Sequence, residues 1–142
     1  MMHSSLQCAS DRRAYHDNRN LFVTLPLTVA FLEGNCSWAP WLLWRLDEHD
    51  EMSAASDHPD LTMAPSAYFR RQCSLSVECD ETPAAIVSTY GLEDSVVFST
   101  DSPHADSKDP QAVERFLALP LSSQAKRKFL WDNCAKLYGF DA

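Results

Sequence analysis

Three acidic side chains stand where short apolar runs end, and those positions are where a carboxylate can do chemistry. Glu33 closes the run Leu27-Thr-Val-Ala-Phe-Leu, Glu78 lies at the end of Cys73-Ser-Leu-Ser-Val, and Asp101 follows Ser95-Val-Val-Phe-Ser-Thr. A carboxylate at such a point either ligates a divalent metal and accepts a proton from its bound water, or merely caps the following turn. Asp101 is the sharpest of the three, because Ser102-Pro103-His104 comes directly after it and Pro103 restricts the backbone beside it. His104 either lines the mouth of a pocket or is solvated in its polar loop. Arg70 and Arg71 are candidates to orient a substrate carboxylate, which guanidinium binds in bidentate fashion, or are ordinary surface arginines. His49 and His58 stand in charged or loop surroundings and read as exposed. Trp38, Trp41 and Trp44, at helical spacing, read as core or a subunit interface rather than an aromatic ligand site.

Several other chemistries are excluded by residue content. With three glycines in 142 residues, Gly34, Gly91 and Gly139, there is neither a dinucleotide-binding glycine loop nor a P-loop. A G-x-S-x-G elbow and an H-E-x-x-H zinc helix are also absent. The five cysteines are scattered without a C-x-x-C pair, so they read as reduced thiols of a cytosolic protein, Cys73 and Cys79 packing on one strand face. A formal charge of −8 disfavours nucleic acid and anionic membrane as partners. No apolar window approaches the roughly 20 residues of a membrane span.

The elements that must carry these acids alternate in type. Residues 1–25 carry no clean period and read as a poorly ordered lead-in. Leu27–Glu33 reads as a buried strand, and Gly34-Asn35-Cys36-Ser37 as a turn. A helix follows, with Ser37 as its N-cap and Pro40 in its first turn. Met52–Ser66, with Pro59 and Pro65, reads as a long loop. Cys73–Cys79 alternates as a strand does. Thr82 then caps a helix that Gly91 closes, and Ser95–Thr100 has the continuous apolar centre of a strand covered on both faces. Asp109 is expected to cap a helix that stops at Pro120. A last helix begins near Ser122, with an apolar stripe of Phe129, Leu130, Cys134, Leu137 and Tyr138 and Gly139 at its C-cap. Alternation of strand and helix requires a parallel sheet with right-handed crossovers. A closed eight-stranded barrel needs about 250 residues. An open three-stranded sheet leaves two unpaired edges, so the chain is expected to oligomerise or to pair with a missing barrel half.

The run Val97-Phe-Ser-Thr-Asp-Ser-Pro-His104 resembles the eighth-strand motif of the amidohydrolase superfamily, in its amidohydrolase-related branch of metal-dependent hydrolases and nonoxidative decarboxylases. Phe31-Leu-Glu-Gly-Asn-Cys-Ser-Trp38 with Trp41–Asp47, Pro65-Ser-Ala-Tyr-Phe-Arg-Arg-Gln72 and Asn133-Cys-Ala-Lys-Leu-Tyr-Gly-Phe140 agree with it in order. The resemblance runs from about Leu27 to the end. It implies an α/β fold that is part of a TIM (β/α)8 barrel: about the last three β/α units plus a C-terminal helix, residues 26–142. It also implies that Asp101 is a metal ligand, zinc or manganese, and the proton acceptor for the attacking water. The family's His-x-His pair is absent, and Gly34 stands where many members place a substrate-polarising histidine, with Glu33 beside it to fill that role in part. The implied function is hydrolysis or decarboxylation of a small carboxylate-bearing substrate by a complete parent. This chain alone is expected to be inactive and to hold no metal tightly. The other reading is a non-catalytic remnant, or a split-barrel partner that works only in association with another chain.

Overall fold

The structure, a computed structural model, describes residues 27–53 and 61–140. The expected lead-in, Cys8 and His58 therefore lie outside the described residues. Three short strands form one parallel sheet in the order β1-β2-β3: β1 Val29–Phe31, β2 Cys73–Val77 and β3 Val96–Phe98. The register sets Val29 opposite Cys73 and Phe31 opposite Leu75, then Leu75 opposite Val96 and Val77 opposite Phe98. The chain is thus α/β with a small parallel sheet, as its alternating pattern requires.

The central strand explains the burial. Cys73, Leu75 and Val77 face one side and are buried, and Ser76 on the other side is buried as well, because helices cover both faces. Leu75, Val77, Val96, Phe116 and Phe129 form the centre of the core, together with Cys36 from the loop after β1 and Ala39 and Leu43 from the first helix. Phe116 bridges Phe98, at 4.8 Å between ring centroids, and Phe129, at 6.4 Å. Phe31 stacks on Phe69 at 6.0 Å and meets Trp38 edge-on at 6.2 Å, which anchors the edge strand β1.

Helix α1 spans Ala39–Ser53, with Pro40 in its first turn. Ser37 is not its cap: the hydroxyl donates to the Glu81 carboxylate instead. Helix α2, Pro65–Gln72, occupies the end of the expected loop and the residues up to β2. It carries the usual terminal signals, proline in the first turn and Arg70 and Arg71 in the last. Its first-turn Ser66 N–H finds an acceptor in Asp47 of α1 at 2.8 Å. After β2 comes a 3-10 turn, Thr82–Ala84, leading into α3, Ala85–Thr89, and Gly91 follows at φ +66°. Thr82 makes no side-chain cap there, and neither does Asp109 for α4, Ala112–Leu117, whose N-cap position is Gln111.

The closing helix runs through three segments: α5 Ser123–Arg127, a π-helical turn Lys128–Asp132, and α6 Asn133–Tyr138. Ser122 caps it by accepting from the Ala125 N–H at 3.0 Å, and Gly139 ends it in the left-handed conformation. The buried side is Ala125, Phe129, Asn133 and Ala135, while Tyr138 is 70% exposed. Of the expected apolar stripe, Phe129 lies in the core and Leu130 packs against it, while beyond the π turn, which adds a residue to one turn, Tyr138 leaves that face. No helix among the described residues is long and apolar enough to cross a membrane.

Candidate metal centre

Because the three strands run parallel, their carboxyl ends converge on one rim. Glu33 is two residues beyond β1, Glu78 directly follows β2, and Asp101 is three residues beyond β3. Glu33, Asp101 and His104 each bring one ligand atom to within 4.8 Å of the others. Asp101 and His104 already touch, with Nδ1 at 3.1 Å from the carboxylate. Asp101 is half-buried and the imidazole is 58% exposed.

Unusual backbone conformations set this arrangement. Glu33, Asn35 and Asp101 have φ of 59°, 57° and 56°, in the left-handed region. Asparagine and aspartate visit it more readily than glutamate does. Such residues cost on the order of 1–3 kcal/mol each and persist where their surroundings over-determine them. Around Asp101 the determinants are local. The Asp101 N–H donates to Ser99 Oγ at 3.2 Å, the His104 N–H returns to the Asp101 carbonyl at 2.9 Å, and Ser107 Oγ ties the loop to the Thr100 carbonyl at 2.9 Å. Within this turn the Ser102–Pro103 peptide is cis. In the loop after Glu33, the Trp38 indole donates to the Asn35 carbonyl at 3.0 Å, and the Cys36 and Ser37 N–H groups donate to the buried Glu81 carboxylate at 3.0 and 2.8 Å.

The rim is acidic. Burial first, and then the charges of Asp80, Asp101, Glu81 and Asp106, raise the pKa of Glu78 above the usual carboxylate range. Glu78 therefore sits in the field of Asp101 although its carboxylate is not one of the three clustered donors. Arg70 and Arg71 are not brought to this rim. They close α2 just before β2 begins, at the amino end of the sheet. Arg70 donates there to Ser66 Oγ at 2.8 Å and to the Tyr90 carbonyl at 3.3 Å. Arg71 donates to Gln72 Oε1 at 2.7 Å and lies 5.0 Å from the Tyr68 ring centre. The guanidinium groups thus take part in structure at the end of the sheet away from Asp101.

Two carboxylates and an imidazole are oxygen and nitrogen donors of the kind that zinc and related divalent ions accept. Bonds of about 2.0–2.2 Å to one ion draw donors closer than they stand here. Glu33 and His104, both exposed, are the side chains with room to turn inward. The residues present therefore fit a divalent ion held from three sides. The sequence assigned the metal to Asp101 alone; spatial proximity adds Glu33 and His104. For His104 the i, i+3 spacing from Asp101 across a proline turn was the available signal.

The Amidohydrolase family model matches residues 2–140. The chain belongs to the amidohydrolase family. The match begins well before Leu27, so it takes in the stretch that carried no clean period. No curated protein matches the chain. Among solved structures, an amidohydrolase from Mycobacterium avium subsp. paratuberculosis K-10 is similar, at 20% identity and a TM-score of 0.68, over 88% of this chain. The aligned part is 33% of that protein's length, so the chain spans about a third of its structural relative.

Proposed function

We propose that this chain is the carboxyl-terminal sector of a (β/α)8 barrel and furnishes one side of the site of a metal-dependent hydrolase or decarboxylase. The substrate is a small carboxylate-bearing molecule. The convergence of Glu33, Asp101 and His104 at the rim is the observation that carries this reading. Family membership and the partial coverage of the structural relative support it.

Asp101, Glu33 and His104 would hold the ion, zinc or manganese. When bound, it supplies Lewis-acid polarisation of a substrate carbonyl and makes water a stronger acid. Asp101 then accepts the proton of the attacking water, and His104, in contact with its carboxylate, fixes the carboxylate's orientation. Glu33, just beyond the carboxyl end of the other edge strand β1, faces the substrate. Glu78 keeps a proton to higher pH than an ordinary glutamate, which limits the charge repulsion at the rim. With Arg70 and Arg71 at the amino end of the sheet, cationic groups on other strands, or the ion itself, bind the substrate's carboxylate.

Taken alone, the chain binds the ion weakly, because two of the three donors are exposed, and it does not turn over substrate. Its open strand edges and exposed Leu32, Trp41, Trp44 and Trp131 favour pairing with the remaining strands or with a second copy. The test is to supply those strands, in cis or as a second polypeptide, and to assay at saturating metal. Asp101→Asn is expected to lower kcat by at least about 100-fold, the lower end of general-base catalysis. A Glu33→Gln variant should lose less. Normal turnover in Asp101→Asn would move the base to another residue. No activity in any combination would favour the non-catalytic remnant.

A further inference from the structure

The most heavily engaged buried acid in the described structure lies outside the metal cluster. Glu81 is 7% exposed and follows β2 by four residues. Its carboxylate accepts from the Cys36 N–H at 3.0 Å through Oε1, from the Ser37 N–H at 2.8 Å, and from the Ser37 hydroxyl. The Cys36 thiol adds a fourth donor, with Sγ 3.4 Å from Oε2. All four donors come from residues 44 or 45 positions away in sequence.

These donors belong to the loop between β1 and α1. Two backbone N–H groups just ahead of the first turn of α1 point at the carboxylate, an arrangement that the helix dipole favours and that substitutes for a local cap. Burial first and the charge of Glu81 second push the Cys36 thiol far above the ordinary thiol range, so the sulfur serves as a hydrogen donor and not as a nucleophile. Glu33 stands three residues before Cys36, in the left-handed region with Asn35, and the Trp38 indole closes the same loop on the Asn35 carbonyl at 3.0 Å. Neither Glu33 nor Asn35 is held there by a glycine's freedom. The clamp at 36–37 fixes the far end of the segment whose near end is β1.

We propose that Glu81 is the positioning residue for Glu33: by gripping the backbone and side chains of Cys36 and Ser37 it holds the β1–α1 loop so that Glu33 faces Asp101 and His104. The proposal rests on the reading of those three residues as one site, and its reagent is Glu81→Gln, which keeps the size but removes the charge and converts one acceptor to a donor. Glu81→Asp is the companion variant, retaining the charge on a shorter stem.

The experiment follows the free chain by NMR and then titrates it with Co²⁺. In Glu81→Gln the Cys36 and Ser37 amides should exchange at least ~10-fold faster, while the Leu75 and Val97 amides in the sheet keep their protection; Glu81→Asp should fall between. The His104 ring resonances at fixed pH should move in Glu81→Gln as they do in Glu33→Gln, and the double variant should move them no further. Co²⁺ affinity should fall about 10-fold in Glu81→Gln, the scale of a lost supporting contact to a ligand. That fall should vanish when Glu33 is already Gln. Additive shifts of His104 in the double variant, or unchanged His104 resonances in Glu81→Gln with the loop amides released, overturn the proposal. Should Co²⁺ not bind to the wild-type chain, the metal reading fails, and the amide and imidazole signals still decide whether Glu81 sets Glu33. Loss of protection at Leu75 and Val97 in both Glu81 variants would also overturn it, because Glu81 would then hold the fold and not the loop.

Discussion

Asn133 offers the sharpest test of how the closing helix is tied to the strand that carries Asp101. It is 7% exposed and stands where the π turn passes into α6. Its Nδ2 donates to the Glu93 carbonyl at 2.7 Å and to the Val96 carbonyl at 2.6 Å, so one side-chain amide satisfies two backbone acceptors, one in the 3-10 turn before β3 and one at the first residue of the strand. Asn133→Leu preserves volume and removes both donors. Leaving a buried acceptor without its partner costs about 1–3 kcal/mol, and with two such groups and partial relaxation the expected loss is about 2–4 kcal/mol. Relative to a whole-domain stability of roughly 5–15 kcal/mol, that is a large fraction. Asn133→Asp is the informative partner. It places carboxylate oxygens against two carbonyl oxygens, so it should be at least as damaging at neutral pH. On acidification the protonated acid can donate to one carbonyl again, and part of the loss should return. This variant's carboxyl has a folded-state pKa above its unfolded value, so its stabilising contribution exists at low pH and disappears as pH rises. Urea unfolding followed by far-UV circular dichroism at neutral and acidic pH, with slopes compared, measures all three proteins. If Asn133→Leu lies within about 0.5 kcal/mol of wild type at an unchanged slope, the helix–strand tie contributes nothing and the reasoning fails.

Two further outcomes follow from burial and charge. Glu78 has its pKa raised, chiefly by burial and then by neighbouring acids. Its contribution to stability is therefore fully present below the ordinary carboxylate pKa and is lost as pH rises through the higher folded-state value. Glu78→Gln should be more stable than wild type at neutral pH and lose that advantage in acid, checked by urea midpoints across the range; an advantage independent of pH would count against it. Burial also pushes the Cys73 thiol up to about 12, and Cys36 and Cys79 are likewise buried with raised thiol pKa values. Mass mapping after iodoacetamide at mildly alkaline pH should find none of these three alkylated in the native protein and all three alkylated once it is unfolded, and rapid native labelling of Cys73 would show that β2 is not covered.

The sequence by itself determined the kind of fold and the positions of its acids. Leu27–Glu33, Cys73–Cys79 and Ser95–Thr100 are apolar or alternating runs of strand length, and helical segments between them force parallel pairing, because a parallel strand can be reached only by a crossover. Strands that share a direction bring their following residues to one rim, so Glu33, Glu78 and Asp101 were legible as candidates before any coordinates. Ser122 and Gly139 were legible too, since those caps act within a few residues of themselves. What the sequence could not disclose were the interactions made across long stretches of chain. The N–H of Ser37, just ahead of α1, and that of Ser66, in the first turn of α2, take their acceptors from Glu81 and Asp47, 44 and 19 residues away, and the Ser37 hydroxyl goes to Glu81 as well instead of capping α1. Arg70 and Arg71 looked available for a substrate until the direction of β2 placed them at the other end of the sheet. The inserted π turn rotated Tyr138 out of its expected stripe. Above all, only the folded loops decided that Glu33, Asp101 and His104 meet, because Glu33 and Asp101 stand in left-handed backbone, and the carboxylate that binds the Cys36 and Ser37 end of the Glu33 loop comes from the turn after β2.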